Sequence, residues 1–187
     1  MTDVSFESRL ASHCAPTLLG AKAASLFSLS EQEFPALHEE LRRYNRSLCR
    51  AGLRFLILHR HAGRALILVY RPALLFSQLC ASDAQALLEN YAYPPPRCLG
   101  ALLRHLKGRF SESGRFPHEI GLFLGYPTAD VQAFIEGDAP CKLCGYWKVY
   151  CDVDAAKERF ACYDACRACV CRMLAEGCTI SQLLCAA

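Results

Sequence analysis

The cysteines near the C-terminus are the residues whose type and spacing most directly suggest chemistry. The chain has 13 cysteines in 187 residues, and nine of them follow residue 140. Cys141 with Cys144 and Cys166 with Cys169 form two CxxC pairs, separated by 21 residues. Two thiolates at this spacing can bind one metal ion. The two pairs therefore predict a four-cysteine site for zinc or for an iron–sulfur centre.

Two other interpretations of these cysteines stay open. Cys162, Cys166, Cys169 and Met173 recur at helical spacing and are predicted to share one face of a long helix. Cysteine on such a face can act as a small apolar residue that packs in the core. The remaining interpretation is a redox-active thiol pair. A disulfide between Cys166 and Cys169 would distort a regular helix, which weakens that version.

Three residues are candidates for catalysis. His118 and Glu119 open a predicted apolar helix, where the imidazole could act as a base or a ligand. A glutamate at that position is also explained by the helix dipole alone. Cys14 follows a histidine in the chain and is a candidate nucleophile. The common fingerprints of nucleotide binding and hydrolysis, such as GxGxxG, GxSxG and HExxH, are absent from the sequence.

Lys22 is the candidate for binding an anion. It lies in a segment of small and apolar residues, where its amine either contacts an anionic ligand or extends to solvent.

Several longer segments have a recognisable pattern. Residues 116–127 read FPHEIGLFLGYP, and residues 145–150 read GYWKVY. Shorter matching segments lie upstream: CAPTL at 14–18, Gly20, Lys22, LF at 26–27 and VYR at 69–71. In these segments the chain resembles the bacterial domain-of-unknown-function family thirty-seven ninety-three, seen mainly in anaerobic Firmicutes. The resemblance covers nearly the whole chain.

The resemblance implies a single domain in a bacterial cytoplasm, and the family has no established activity. It directs attention to the charged and aromatic positions of the motifs, namely Lys22, Arg71, His118, Glu119, Trp147 and Lys148. The family pattern does not require both CxxC pairs. Cys141 and Cys169 are additions of this chain under that pattern, which counts against a four-cysteine metal site.

Two classes of function follow. In the first, a pocket near the PHEIG and GYWKVY motifs binds a small anionic or planar ligand, with or without enzymatic activity. Lys22, Arg71 and Lys148 would then be ligand-binding, Trp147 would stack, and His118 with Glu119 would handle protons. In the second, the C-terminal cysteines bind zinc or an iron–sulfur centre in a non-catalytic structural or interaction module.

Composition limits the compartment and the partners. The chain is 53% apolar and 21% charged, with a formal net charge of +3, so neither nucleic acid nor an anionic membrane is an expected partner. The N-terminus lacks the pattern of a secretory signal, and the sequence has no uninterrupted apolar run of membrane-spanning length. We therefore expect a cytoplasmic protein with reduced thiols. The odd number of cysteines also disfavours a disulfide framework.

The helix and strand patterns of the sequence around these candidate residues predict an α+β fold. Two β-favourable segments on either side of Gly63 predict a hairpin at about 53–70. A strand at about 146–150 would join it in a small antiparallel sheet, wrapped by about seven helices. The proline-rich segment 93–97 is the one candidate boundary inside the chain. We interpret it as a loop, so residues 1–187 are expected to form a single domain.

Overall fold

The computed structural model describes residues 5–112 and 116–185, which divide into two compact units. Residues up to Arg71 and those from Cys162 onward form one, here called the terminal unit. Pro72–Ala161 form the other, the central unit. Neither division point coincides with the proline-rich segment 93–97. The single domain stays a prediction.

Within the described residues the chain forms nine helices and five strands. The first half contains α1 (Phe6–Leu18), β1 (Ala24–Ser30), α2 (Leu37–Ser47), β2 (Arg54–His61), β3 (Arg64–Tyr70), α3 (Pro72–Leu79) and α4 (Ser82–Glu89). The second half contains α5 (Leu99–Glu112), α6 (Ile120–Phe123), α7 (Thr128–Glu136), β4 (Leu143–Cys144), β5 (Lys148–Val149), α8 (Val153–Ala175) and α9 (Ile180–Cys185). The predicted α+β class is confirmed. None of the described helices combines the length and the apolar character that crossing a bilayer requires.

The predicted hairpin is confirmed as β2 and β3 of the terminal unit. The strands pair antiparallel from Arg54 opposite Tyr70 to His61 opposite Arg64. Ala62 and Gly63 connect them, with φ angles of 47° and 70°. Left-handed backbone at both central positions suits the right-handed twist of a two-residue hairpin loop.

The third strand of this sheet differs from the prediction. It is β1, and the order is β1-β3-β2. In β1 the side chains of Phe27 and Leu29 are buried and alternate with half-buried serines, as in a strand with one face on a core. The predicted strand at 146–150 is wrong as a member of this sheet. Only Lys148–Val149 form a strand there, and they pair with the nearby Leu143–Cys144 in a separate two-stranded sheet.

The core of the terminal unit combines both ends of the chain. Leu10 and Cys14 of α1 are fully buried in it, and so are Val170 of α8 and Ile180 of α9. The amphipathic helix α2 contributes its three buried residues, Leu37, Leu41 and Tyr44. The helical character of residues 6–18 was not predicted from the sequence.

Candidate functional site

The candidate site lies in the central unit and starts from a close approach of two helices. Gly121 in α6 faces Val131 in α7, and a Cβ atom on Gly121 would lie 2.7 Å from Val131 Cγ2. The chain turns between the helices at Gly125, whose φ of 78° is left-handed, and Tyr126 N–H donates to Gly121 O at 3.0 Å. Glycine at these two positions allows the PHEIG segment and α7 to pack side by side.

Asp130 attaches the β4–β5 hairpin to α7. Its carboxylate is buried and accepts three hydrogen bonds, from Trp147 Nε1 at 2.8 Å, Tyr150 N at 2.8 Å and Cys151 N at 2.9 Å. Hydrogen bonds to a charged acceptor are the strong ones, and buried carboxylates need them. Asp130 therefore positions the hairpin and is not a free base.

Aromatic packing fixes Trp147 in the same place. Its indole stacks on Tyr126 with ring centroids 5.2 Å apart, and Phe160 of α8 meets it edge-on at 4.6 Å. Gly145 leaves room for Phe160, because a Cβ atom at Gly145 would lie 2.2 Å from Phe160 Cε2. The indole therefore has a fixed orientation, with its N–H on Asp130 and its ring between two aromatic neighbours.

These elements surround a cavity of about 360 Å³. Its lining is largely apolar and aromatic and consists of Phe116, His118, Ile120, Gly121, Leu124, Tyr126, Asp130, Val131, Phe134, Trp147 and Lys148. Ile120, Leu124, Val131 and Trp147 are buried and form the interior.

The exposed lining residues form the mouth of the cavity. Phe116 is 50% exposed and Phe134 is 37% exposed, and both His118 and Lys148 are also exposed. The imidazole of His118 meets the Phe134 ring edge-on at 5.0 Å, and Lys148 Nζ lies 5.3 Å from the centroid of the same ring. Among the described lining residues Asp130 supplies the one carboxylate, and three donors already satisfy it. The mouth is therefore apolar with positive charge.

A family model described as a protein of unknown function, DUF3793, matches residues 10–184. The chain belongs to the DUF3793 family. No curated protein and no solved structure matches it. The cavity of this DUF3793 protein lies inside the matched region.

The structure brings three of the sequence-predicted residues to this cavity. His118, Trp147 and Lys148 all line it. Glu119 does not, although it is adjacent to His118 in the chain. Its buried carboxylate accepts a hydrogen bond from Arg109 Nε at 2.9 Å and one from the Tyr93 hydroxyl at 3.3 Å. Burial and the neighbouring Glu119 raise the pKa of Tyr93, which keeps that hydroxyl a donor.

Cys14 and Lys22 lie in the terminal unit. Cys14 is fully buried, and this burial raises the pKa of its thiol, so the group is protonated at neutral pH. Lys22 is 8% exposed. Burial lowers the pKa of its amine to about 8, with Cys14 opposing the change, and Nζ lies 5.7 Å from the ring centroid of Tyr163. The catalytic role of Cys14 and the ligand-binding role of Lys22 stay predictions.

Arg71 holds together three segments of the terminal unit. Its Nε donates to Thr17 O at 2.7 Å, one terminal nitrogen donates to Ala51 O at 3.0 Å, and the other donates to Leu18 O. Thr17 and Leu18 end α1, where a helix leaves carbonyl acceptors without partners inside the helix, and Ala51 lies in the turn that follows α2. Its ligand-binding role stays a prediction, because these contacts already explain a charged side chain at this position.

The two CxxC pairs belong to different units. Cys141 and Cys144 are in the central unit with sulfur atoms 3.9 Å apart, whereas Cys166 and Cys169 are in the terminal unit. No group of three or more potential metal ligands occurs among the residues that the structure describes. The four-cysteine metal site stays a prediction. The hydrogen bond with Cys141 raises the pKa of Cys144, and the Lys148 ammonium opposes this.

The cysteine face predicted for α8 is only partly a packing surface. Cys166 and Met173 pack against the core of the terminal unit, and burial raises the pKa of Cys166. Cys162 is exposed, so the packing interpretation is wrong for that residue. Val170 is the residue of α8 that is fully buried in the core of the terminal unit.

Sequence reasoning missed four residues of the site: Phe116, Tyr126, Asp130 and Phe134. All four lie in or next to the motifs, but an aromatic residue there is equally typical of a core. Asp130 could have been noticed as an acidic residue beside apolar ones in a short helix. Its hydrogen-bond partners are 17 to 21 residues away in the chain, so its role depends on tertiary structure.

Proposed function

We propose that the cavity of the central unit binds a small molecule that combines a flat apolar body with an anionic group. The observation that carries this proposal is that His118, Trp147 and Lys148 line one cavity. A volume of about 360 Å³ is within the range of small-molecule sites, which are mostly apolar with a few polar groups.

The interior would take the apolar body of the ligand. Ile120, Leu124 and Val131 offer aliphatic contacts, and Trp147 offers a rigid aromatic wall. Because the indole is already held by Asp130 and Tyr126, binding would cost little ordering of this side chain. A flat body suits such a preformed aromatic wall.

The mouth would take the anionic group. Lys148 and His118 both border the Phe134 ring there, and Asp130 has its charge compensated by three donors. A carboxylate or a phosphate therefore gains favourable interactions that a cationic group would lack. His118 is also the lining group that could exchange a proton with the ligand. Glu119, engaged by Arg109 and Tyr93, has no part in this proposal.

The chain provides its own reporter for this proposal, because Trp147 is its one tryptophan. Tryptophan fluorescence is followed during titration with phenylpropionate, with the neutral phenylpropanol and with the cationic phenylpropylamine. All three share an aromatic body and differ in the charge of the head. We expect the carboxylate to bind most tightly and the amine least tightly.

Substitution of Lys148 tests whether its positive charge contributes to ligand binding. Lys148→Met should weaken binding of phenylpropionate about three- to fivefold, the effect of one exposed charge pair, and leave phenylpropanol unchanged. Lys142→Met is the matched control, since Lys142 is an exposed lysine next to β4 of the same hairpin and does not line the cavity. Equal affinity of the wild type for phenylpropionate and phenylpropylamine would count against an anion-binding mouth. So would an equal loss of phenylpropionate affinity in Lys148→Met and Lys142→Met.

A further inference from the structure

Cys141 and Cys144 are a pair of nucleophilic side chains that the proposed ligand site does not use. Their sulfur atoms are 3.9 Å apart, Cys144 is exposed, and Cys141 is partly exposed. We propose that these two residues form a dithiol–disulfide centre that exchanges electrons with low-molecular-weight disulfides. This inference is independent of the ligand proposed for the cavity.

The backbone around the pair is already held in place. Lys142 N–H donates to Val149 O at 2.8 Å, and Gly145 N–H donates to Trp147 O at 3.1 Å. Cys144 itself is in β4, directly opposite Lys148 in β5. Both cysteines therefore flank or belong to one short hairpin, whose backbone hydrogen bonds do not involve the sulfur atoms.

Forming the disulfide bond between Cys141 and Cys144 requires only a small movement of their sulfur atoms. A disulfide has its sulfur atoms about 2.05 Å apart, so Cys141 and Cys144 must approach by about 1.9 Å. Rotation of two side chains can supply this, because Cys141 precedes β4 in irregular backbone. Cys166 and Cys169 have the same spacing in α8, where the helical hydrogen bonds resist the same closure.

A small disulfide reaches the exposed Cys144 more readily than the partly exposed Cys141, so we place the first attack on Cys144. The thiolate of the more exposed Cys144 attacks one sulfur of the small disulfide, whose S–S bond breaks and releases one thiolate. The thiolate of Cys141 then attacks the Cys144 sulfur of this mixed disulfide and releases the second small thiolate. In total, two protein thiols lose two electrons and two protons, and the small disulfide is reduced to two thiols.

The test uses the full-length chain, purified reduced and without oxygen, and equilibrated with mixtures of reduced and oxidised glutathione. Remaining thiols are blocked with N-ethylmaleimide, and the protein is digested with trypsin and analysed by mass spectrometry. Trypsin cleaves after Lys142, which separates the two cysteines. We expect peptide 143–148 to be disulfide-linked to the peptide ending at residue 142, with one glutathione disulfide consumed per linked pair.

Two variants and one control complete the design. Cys144→Ser should lose the linked peptides entirely and accumulate a glutathione adduct on Cys141. If Cys144→Ser fails to fold by circular dichroism, Cys141→Ser gives the equivalent test, with the adduct on Cys144. Cys98→Ser, which removes an exposed cysteine of the same unit, should leave the linkage unchanged.

Two results would overturn the proposal. One is recovery of Cys141 and Cys144 only as free thiols or as separate glutathione adducts across the whole range of mixtures. The other is one equivalent of zinc in the purified wild-type protein that Cys144→Ser releases, because the pair would then be a metal ligand.

Discussion

Buried charged residues in this protein differ in how their charge is compensated. Asp130 and Glu119 are both carboxylates with almost no exposure, and each accepts hydrogen bonds from two or more donors. Such donors replace the hydrogen bonds to water that a buried carboxylate loses. Lys22 is also buried, its Nζ lies 5.7 Å from the ring centroid of Tyr163, and burial lowers the pKa of its amine to about 8, with Cys14 opposing the change. Burial of this ammonium therefore opposes folding while the amine is charged.

Replacing Lys22 should therefore stabilise the protein in a pH-dependent way. Its amine has a pKa of about 8 in the folded protein and 10.5 when unperturbed. Between these values the unfolded chain binds more protons, so the cost of the buried ammonium is complete below pH 8 and disappears as the pH rises towards 10.5. Lys22→Met should raise the free energy of unfolding at pH 7 by on the order of 2 kcal/mol, and less at about pH 10.

Urea denaturation of wild type and variant at both pH values measures this difference. Lys107→Met, which replaces an exposed lysine, is the control and should change stability little at either pH. A stabilisation by Lys22→Met that is equal at the two pH values would mean that the ammonium charge is not its cause.

At the scale of the elements, the β4–β5 hairpin depends on contacts with its surroundings. Each strand has only two residues, and a two-stranded ribbon of that length is not stable in isolation. Asp130 hydrogen-bonds to its end, Tyr126 stacks on Trp147, and Phe160 fills the space over Gly145. The position of Lys148 and Trp147 in the cavity is therefore set by side-chain contacts with α7 and α8.

Filling the space at Gly145 should disturb that position. In Gly145→Ala the new Cβ would lie 2.2 Å from Phe160, so the ring or the hairpin must move. We expect a loss of about 1–3 kcal/mol in stability and a changed emission maximum of Trp147. Gly100→Ala is the matched control, because a Cβ there meets nothing within 4 Å. Unchanged emission and stability in Gly145→Ala would show that the hairpin is not held by this contact.

The elements also show what local pattern can and cannot predict. The β2–β3 hairpin was predictable because its strands are adjacent in the chain and Gly63 lies in the connecting turn. Membership of β1 in the same sheet depends on pairing with β3, about 40 residues away, which no local pattern reveals. For the same reason His118, Trp147 and Lys148 could be chosen from motifs, but the cavity that they share could not be predicted.

At the scale of the whole molecule, the two ends of the chain form one unit. Glu7 in α1 accepts hydrogen bonds from the Tyr44 hydroxyl at 3.0 Å and from Ile180 N at 3.3 Å. Ile180 is fully buried in the same core as Leu10. The central unit is thus an insertion between Arg71 and Cys162. Composition gave no sign of this division, because no flexible linker marks either point.

The last helix is therefore expected to stabilise residues far from it in sequence. Ile180→Ala removes a fully buried side chain from the core of the terminal unit and should cost about 2–4 kcal/mol, because the surrounding residues cannot fill the cavity completely. Glu176→Ala, at an exposed position directly after α8, should cost little. Hydrogen exchange should show faster exchange in β1 and β3 for Ile180→Ala than for the control. Loss of protection confined to residues after 176 would mean that α9 packs on the core without supporting it.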